Sequence, residues 1–280
     1  MLRLGERQEL AIMKEVAFGV YLADPKDGRN AEEKVLLPGK EVPEGAQIGD
    51  SISVFIYRDS KDRVIATTRQ PQLSVGQTAV LKVKEVGRIG AFLEWELEKD
   101  LLLPFKEQTR AVKEGEECLV ALYIDKSGRL CTTMKVYPYL RVGSPYQKDD
   151  KVTGRVYEVT ERYGVYVAVD DCYSALIPKE EPVNDLSAGD QIEARVARVL
   201  EDGKLTLSLR EKAYIQMNSD ALRIMEMMKA QGGRLPFNDK ADPQLIRNET
   251  GMSKNEFKRA VGNLYKQRLI VIEPGGIKMV

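Results

Sequence analysis

Histidine is absent from all 280 residues of this chain. That excludes Ser-His-Asp and Cys-His catalysis, imidazole metal sites and histidine acid/base chemistry together. Cysteine is nearly absent too: Cys118, Cys131 and Cys172 are an odd set with no CxxC spacing, which reads as reduced thiols and a cytoplasmic location. No apolar run approaches the length of a membrane span, and the opening MLRLGERQEL has no apolar stretch of the signal-peptide kind. Charge of one sign is missing as well, since 43 basic residues balance 43 acidic ones. No bulk field therefore draws in a polyanion, and any nucleic-acid contact has to be local, made by strips of charge and stacking rings. The balance is uneven along the chain: residues 146–210 hold 9 basic and 13 acidic residues, a net −4, whereas 211–280 hold 12 and 8, a net +4.

What is present is a template used three times. It runs Gly5, Phe18-Gly19-Val20-Tyr21-Leu22, Leu36-Leu37-Pro38, Gly49, Arg63, Arg69, then Gly76, Ile89-Gly90-Ala91-Phe92-Leu93, Leu102-Leu103-Pro104, Gly115, Arg129, Lys135. The third copy runs Asp150, Tyr163-Gly164-Val165-Tyr166-Val167, Leu176-Ile177-Pro178, Gly189, Lys204, Arg210. Fourteen positions separate the first mark from the second in every copy, and eleven separate the proline from the next glycine. A repeat of about 70 residues is too long for a solenoid unit, so each copy is expected to be a small domain. Alternation as in Ala91-Phe92-Leu93-Glu94-Trp95, broken by turns such as Ser127-Gly128, predicts four or five short strands per copy and a closed or partly closed barrel. The first copy carries an insertion around Ala23 to Asn30, and a Tyr-rich linker, Val136 to Gln147, precedes the third. The expected boundaries are 1–70, 71–136, a linker at 137–146, and 147–211.

From about Ser219 the periodicity turns helical. Asp242-Pro243 and Gly251 bracket one helix, and the capping box Ser253-Lys254-Asn255-Glu256 opens another. Leu269 to Val280 reads as a β-hairpin. Helix, helix–turn–helix and hairpin over 218–280 is the order of a winged-helix module.

These residues carry a resemblance. Tyr163-Gly164-Val165-Tyr166-Val167, Leu176-Ile177-Pro178 and Gly203-Lys204-Leu205-Thr206-Leu207-Ser208-Leu209-Arg210 resemble the ribosomal S1 RNA-binding domain, most fully in the third copy. The whole chain, with Gly251-Met252-Ser253-Lys254 and Phe257-Lys258-Arg259-Ala260, resembles the conserved virulence factor B family. The resemblance implies a mainly β protein of three five-stranded OB-fold barrels followed by an α/β winged helix. It implies a bacterial, cytoplasmic, non-enzymatic RNA-binding protein acting on gene expression after transcription, with no cofactor and no metal. It further implies RNA contacts at Phe18, Tyr21 and Arg63, at Phe92 and Arg129, and at Tyr163, Tyr166, Lys204 and Arg210. Asp59 with Arg63 and Asp125 with Arg129 match the acid/base pair of such domains; in the third copy the acid moves to Glu201 or Asp202. The histidine of such domains is replaced by Pro38, Pro104 and Pro178.

Alternatives stay open at this stage. On a regular strand, residues i and i+3 face opposite sides, so Tyr163 and Tyr166 share a platform only if Gly164 starts the strand or forms a bulge; otherwise one ring belongs to the core. Arg63, Arg129 and Lys204 follow turns, where solvated charge is common, and Trp95 between acids suits a barrel surface or an interdomain contact. Asp149-Asp150 and Asp170-Asp171 read as turn acids before magnesium ligands. Lys254, Lys258 and Arg259 on the second wing helix suit a nucleic-acid groove, or the net +4 tail docks on the net −4 third copy. The leading function is binding of single-stranded RNA. A DNA-binding regulator led by the winged helix is the main rival, and a ribosome or RNA-processing assembly is a further partner.

Overall fold

A computed structural model describes residues 2–26, 33–181, 186–209 and 213–280, the side chains of 213–218 excepted. The part of the first-copy insertion at 27–32, and Arg210, lie outside the described residues. The chain divides into two compact units, Met1–Leu209 and Arg210–Val280.

The first unit is three closed five-stranded barrels. The first is built from β1 (Arg7–Val16), β2 (Gly19–Ala23), β3 (Val35–Pro38), β4 (Ser51–Arg58) and β5 (Val64–Thr67). The second comprises β6 (Thr78–Val86), β7 (Gly90–Leu93), β8 (Leu101–Pro104), β9 (Glu117–Ile124) and β10 (Leu130–Thr133). The third comprises β11 (Lys151–Thr160), β12 (Gly164–Val169), β13 (Tyr173–Pro178), β14 (Gln191–Val199) and β15 (Leu205–Ser208). Neighbouring strands are antiparallel except for one parallel pairing per barrel, between its third and fifth strands, which closes the sheet. Closure removes the open edges a short sheet would otherwise expose. Period-two alternation sends Val20, Leu22 and Leu37 inward in the first barrel, Leu93 and Leu103 in the second, and Val165, Val167 and Ile177 in the third.

The prolines of the template end each third strand. Pro38 and Pro104, with φ near −59°, lead into single 3-10 turns at Gly39–Glu41 and Phe105–Glu107. An acid three residues past each proline then turns back onto the last strand: Glu41 accepts from Thr67 Oγ1 at 2.5 Å, Glu107 from Thr133 at 2.9 Å, and Glu181 from Ser208 at 3.1 Å. The proline-to-acid spacing is thus a structural latch repeated in every barrel.

The barrels are not beads on a string. Phe55 of β4 packs edge-on against Trp95, ring centroids 5.7 Å apart, and both rings belong to one buried cluster shared by barrels one and two. Trp95, 2% exposed, is therefore an interdomain residue, its indole N–H donating to the Lys99 carbonyl at 2.7 Å. The linker is structural as well: Val136 and Leu140 are buried in a cluster with Leu119 of barrel two and Tyr157 and Ala168 of barrel three. Arg141 then exchanges backbone hydrogen bonds with Cys172 and Ser174, and Gly143 donates to the Gly203 carbonyl at 3.0 Å.

In the second unit, α1 (Ala213–Ala230), α2 (Pro243–Thr250) and α3 (Lys254–Lys266) pack on a three-stranded sheet of β16 (Arg234–Leu235), β18 (Gly276–Met279) and β17 (Ile270–Glu273), in that order. Asp242 caps α2 by accepting from Gln244 N–H, and Gly251 stops it in the left-handed region at φ 68°. The Ser253–Glu256 capping box on α3 is complete. Phe257, Ala260, Val261 and Leu264 of α3 are core, with Ile224, Met228 and Ile246 around them. β16 is an addition to the expected hairpin, too short at two residues to show a period.

Candidate nucleic-acid interface

One glycine position sets the geometry of all three faces. Gly19, Gly90 and Gly164 each begin the second strand of a barrel, with φ of 150°, 154° and 116°. A Cβ on Gly164 would lie 2.7 Å from the Lys179 nitrogen and 2.9 Å from the Pro178 carbonyl carbon, both backbone atoms, so only glycine fits there. The residue just before the glycine is thereby held at the barrel surface, its carbonyl accepting from the chain beyond the proline: Gly39 N–H to Phe18, Lys179 N–H to Tyr163. Phe18 and Ile89 are 61% exposed and Tyr163 is 50% exposed. Because Tyr163 precedes the strand, the alternation rule does not separate it from Tyr166.

The other ring of each template lies inside the strand, and register shows what surrounds it. Tyr21 pairs with Leu36, which pairs with Ile65; Phe92 pairs with Leu102, which pairs with Cys131; Tyr166 pairs with Leu176, which pairs with Thr206. Each barrel so carries an outward row of ring, leucine and a residue of the last strand. The three rows are dressed differently.

On the third barrel, Tyr166 meets Tyr157 at 6.0 Å and the linker ring Tyr137 at 6.4 Å, the latter edge-on. Lys204 Nζ stands 5.8 Å over the Tyr137 ring and 2.9 Å from Asp202, which identifies the shifted acid of this copy as Asp202. Hydrogen bonds to Asp202 and then Tyr137 raise the Lys204 pKa, keeping the ammonium charged. Burial raises the Tyr166 hydroxyl pKa, with Glu158, Tyr163 and Tyr137 adding to it, so these groups share one neighbourhood. Arg162 sits 5.0 Å over Tyr163. On the first barrel, the Arg63 guanidinium grips Asp59 Oδ2 at 2.6 and 2.9 Å.

The second barrel departs from expectation. Asp125 accepts from the backbone N–H of Arg129 and from Ser127, and the Arg129 side chain bonds Asp62 of the first barrel instead, at 3.2 Å. The reason is proximity across the seam: the hairpin tip between β4 and β5 lies against the second barrel, with Arg58 Nε donating to the Gly128 carbonyl at 3.1 Å. The paired acids of the third copy are likewise engaged, Asp149 by Arg195, Asp171 by Arg155 and Asp170 by the Tyr146 hydroxyl.

The comparisons with known proteins agree with these parts. A CvfB-like winged helix domain model matches residues 222–279, and an S1 domain model matches 4–69 and 75–135. Uncharacterized protein YitL of Bacillus subtilis is 30% identical over 98% of this chain and 93% of its own length. Conserved virulence factor B of Staphylococcus saprophyticus is 28% identical over 90% of this chain and 87% of its own. The chain belongs to the conserved virulence factor B family. A crystal structure described as a multidomain protein with nucleic acid binding domains, from Streptococcus pneumoniae TIGR4, is 23% identical, covers 99% of this chain and 98% of its own, and aligns with a TM-score of 0.49.

In this member of the conserved virulence factor B family the S1 model matches the first two copies, while the third, the fullest by its ring motif, is an S1-like barrel by topology. S1 and winged-helix domains place the chain among nucleic-acid-binding proteins. On α3, Lys258 and Arg259 are exposed and Lys254 is half-buried. No helix among the described residues is long and apolar enough to cross a membrane. Two contributors escaped the sequence reading: Tyr137, hidden in a stretch read as a linker although its tyrosines were visible, and Asp62, whose partner lies 67 residues away.

Proposed function

We propose that this protein binds single-stranded RNA in the cytoplasm, without catalysis, and regulates gene expression after transcription. The observation that carries the reading is the third-barrel cluster of Tyr163, Tyr166 and Tyr137 beside Lys204. Unpaired bases stack on such rings for about 1–3 kcal/mol each, and the ammonium meets the phosphate between them. Phe18, Tyr21 and Arg63 offer a second platform on the first barrel. A duplex keeps its base faces hidden, so these rings favour single strands.

Anisotropy titration of a labelled single-stranded RNA against duplex DNA tests this. Wild type is expected to prefer the RNA, to weaken as salt rises, and to lose most of its affinity on Tyr163→Ala with Tyr166→Ala. The exposed Lys258 and Arg259 of α3 support the rival, DNA binding by the winged helix. Duplex preference together with loss of binding in Lys258→Ala/Arg259→Ala would replace the RNA reading with that one.

A further inference from the structure

The second barrel looks the poorest reader of the three, with Ile89 in place of a ring and Arg129 drawn away by Asp62. Its face is nevertheless roofed by a neighbour. The hairpin tip of the first barrel, Arg58, Ser60 and Asp62, closes over the row of Phe92, Leu102 and Cys131 to leave a cleft of about 290 Å³. That is near the lower limit of about 300 Å³ for small-ligand sites, room for one nucleotide.

We infer that this seam is a composite site for a single guanine nucleotide, its base laid on Phe92 and its edge read by Asp62. The inference deepens the RNA-binding reading and takes its polymer from it. The floor is apolar, with the Phe92 ring in its row and Trp95 in the lining, a surface on which a base stacks. The wall is a carboxylate held in place from two sides, by Lys99 Nζ at 3.3 Å and Arg129 Nε at 3.2 Å. Partial desolvation opposes its charge, but the Lys99 hydrogen bond and the charges of Arg129 and Lys99 outweigh it and hold the Asp62 pKa below its ordinary value. An ionised carboxylate has about four acceptor positions, and the two cations use two of them.

Base chemistry then selects. Guanine presents two adjacent donors, N1–H and the exocyclic amine, which suit the two oxygens of a carboxylate. Adenine and cytosine present one amine beside an acceptor, and uracil one N–H between two carbonyl oxygens that a carboxylate repels. Arg129 has donors left after its single bond to Asp62, and with Lys99 it supplies positive charge for the phosphate. Arg58 is spent on holding the hairpin, donating to Gly128 and to the Asp62 carbonyl at 3.1 and 2.8 Å.

The chain contains a single tryptophan, and Trp95 lines this cleft, so its emission reports occupancy directly. Titration of the full-length protein with GMP, AMP, CMP and UMP should give a saturable change in Trp95 emission, about tenfold or more tighter for GMP than for UMP. Asp62→Asn should remove the preference for GMP while the other three nucleotides still give a saturable change, and Phe92→Ala should weaken all four nucleotides. Equal responses to GMP and UMP, or none up to millimolar concentration, would overturn the assignment. A labelled oligouridine run in parallel separates the two readings. Oligouridine binding without a GMP response sinks the seam site and leaves the RNA reading standing; a GMP response without binding of any RNA does the reverse.

Discussion

Replacing Tyr137 with alanine asks whether the segment between the second and third barrels is a tether or part of a binding face. The ring is 48% exposed, meets Tyr166 edge-on at 6.4 Å and lies under the Lys204 ammonium at 5.8 Å. An edge-on aromatic pair is worth about 0.5–1.5 kcal/mol and an exposed cation–π contact about 0.5–1 kcal/mol. Removing both should therefore destabilise the first unit by about 1–2 kcal/mol, read from its urea midpoint. If a base stacks on Tyr137, affinity for single-stranded RNA falls by a further 1–3 kcal/mol, roughly 5- to 150-fold. Tyr137→Phe keeps the ring and should restore most of both. Tyr137 and Tyr166 touch, so the double alanine variant should lose less affinity than the two single losses added together, with a coupling of about 0.5 kcal/mol or more. Anisotropy on a labelled single strand at low salt measures all of these proteins. Wild-type affinity in Tyr137→Ala, alongside a clear loss in Tyr163→Ala, would refute the reasoning and leave Tyr137 as packing alone.

Two further expectations follow from geometry already given. Gly164→Ala forces a side chain into the positive-φ region against the backbone of Pro178 and Lys179, and should destabilise the first unit by about 2–4 kcal/mol; an unchanged urea midpoint would show that the strand start relaxes freely. Asp62 has a folded-state pKa below the ordinary 3.8, so its contribution to the barrel seam is complete above that pH and is lost as pH falls through the lowered value. Trp95 emission should hence stay flat from neutral pH down to 3.8 and change only below it, with Asp62→Asn showing no such step; a step in wild type between pH 5 and 7 would contradict the assignment.

How much of this was legible in the chain depended on the range of the interaction. Local signals were read well: Asp242-Pro243, Gly251 and the Ser253–Glu256 box sit where the helices start and stop, and the Gly5-to-Gly19 and Pro38-to-Gly49 spacings, kept in the other two copies, described a common barrel. Period two alone also required Gly164 to start a strand or form a bulge if Tyr163 and Tyr166 were to share a face, and the structure has it start the strand. What escaped was long-range. Arg129 was matched to Asp125 as the acid/base pair of S1-type domains, whereas the acid its side chain reaches is Asp62, brought up by a neighbouring barrel. Tyr137 escaped for a related reason, since a ring outside any repeat has no template position to announce it. Trp95 and Phe55 sit in different copies, and nothing in either copy's period says that their rings share one core.

That shared core changes how the three faces combine. Treated as flexibly tethered modules, the copies would strengthen one another only through effective concentration, which depends on linker length and reach. Phe55 against Trp95, and Val136 and Leu140 between the second and third barrels, remove most of that freedom in advance. A strand that engages one face then meets the next at a fixed distance and angle, so little ordering entropy remains to be lost on binding. The same rigidity is selective, because an RNA whose unpaired segments do not match the spacing gains nothing from the second face. On the proposed RNA reading, discrimination among RNAs then rests as much on the spacing of unpaired bases as on which bases they are. A loosened seam, as in Phe55→Ala, should flatten the difference between well-spaced and poorly spaced ligands more than it lowers affinity for a short strand that fills one face.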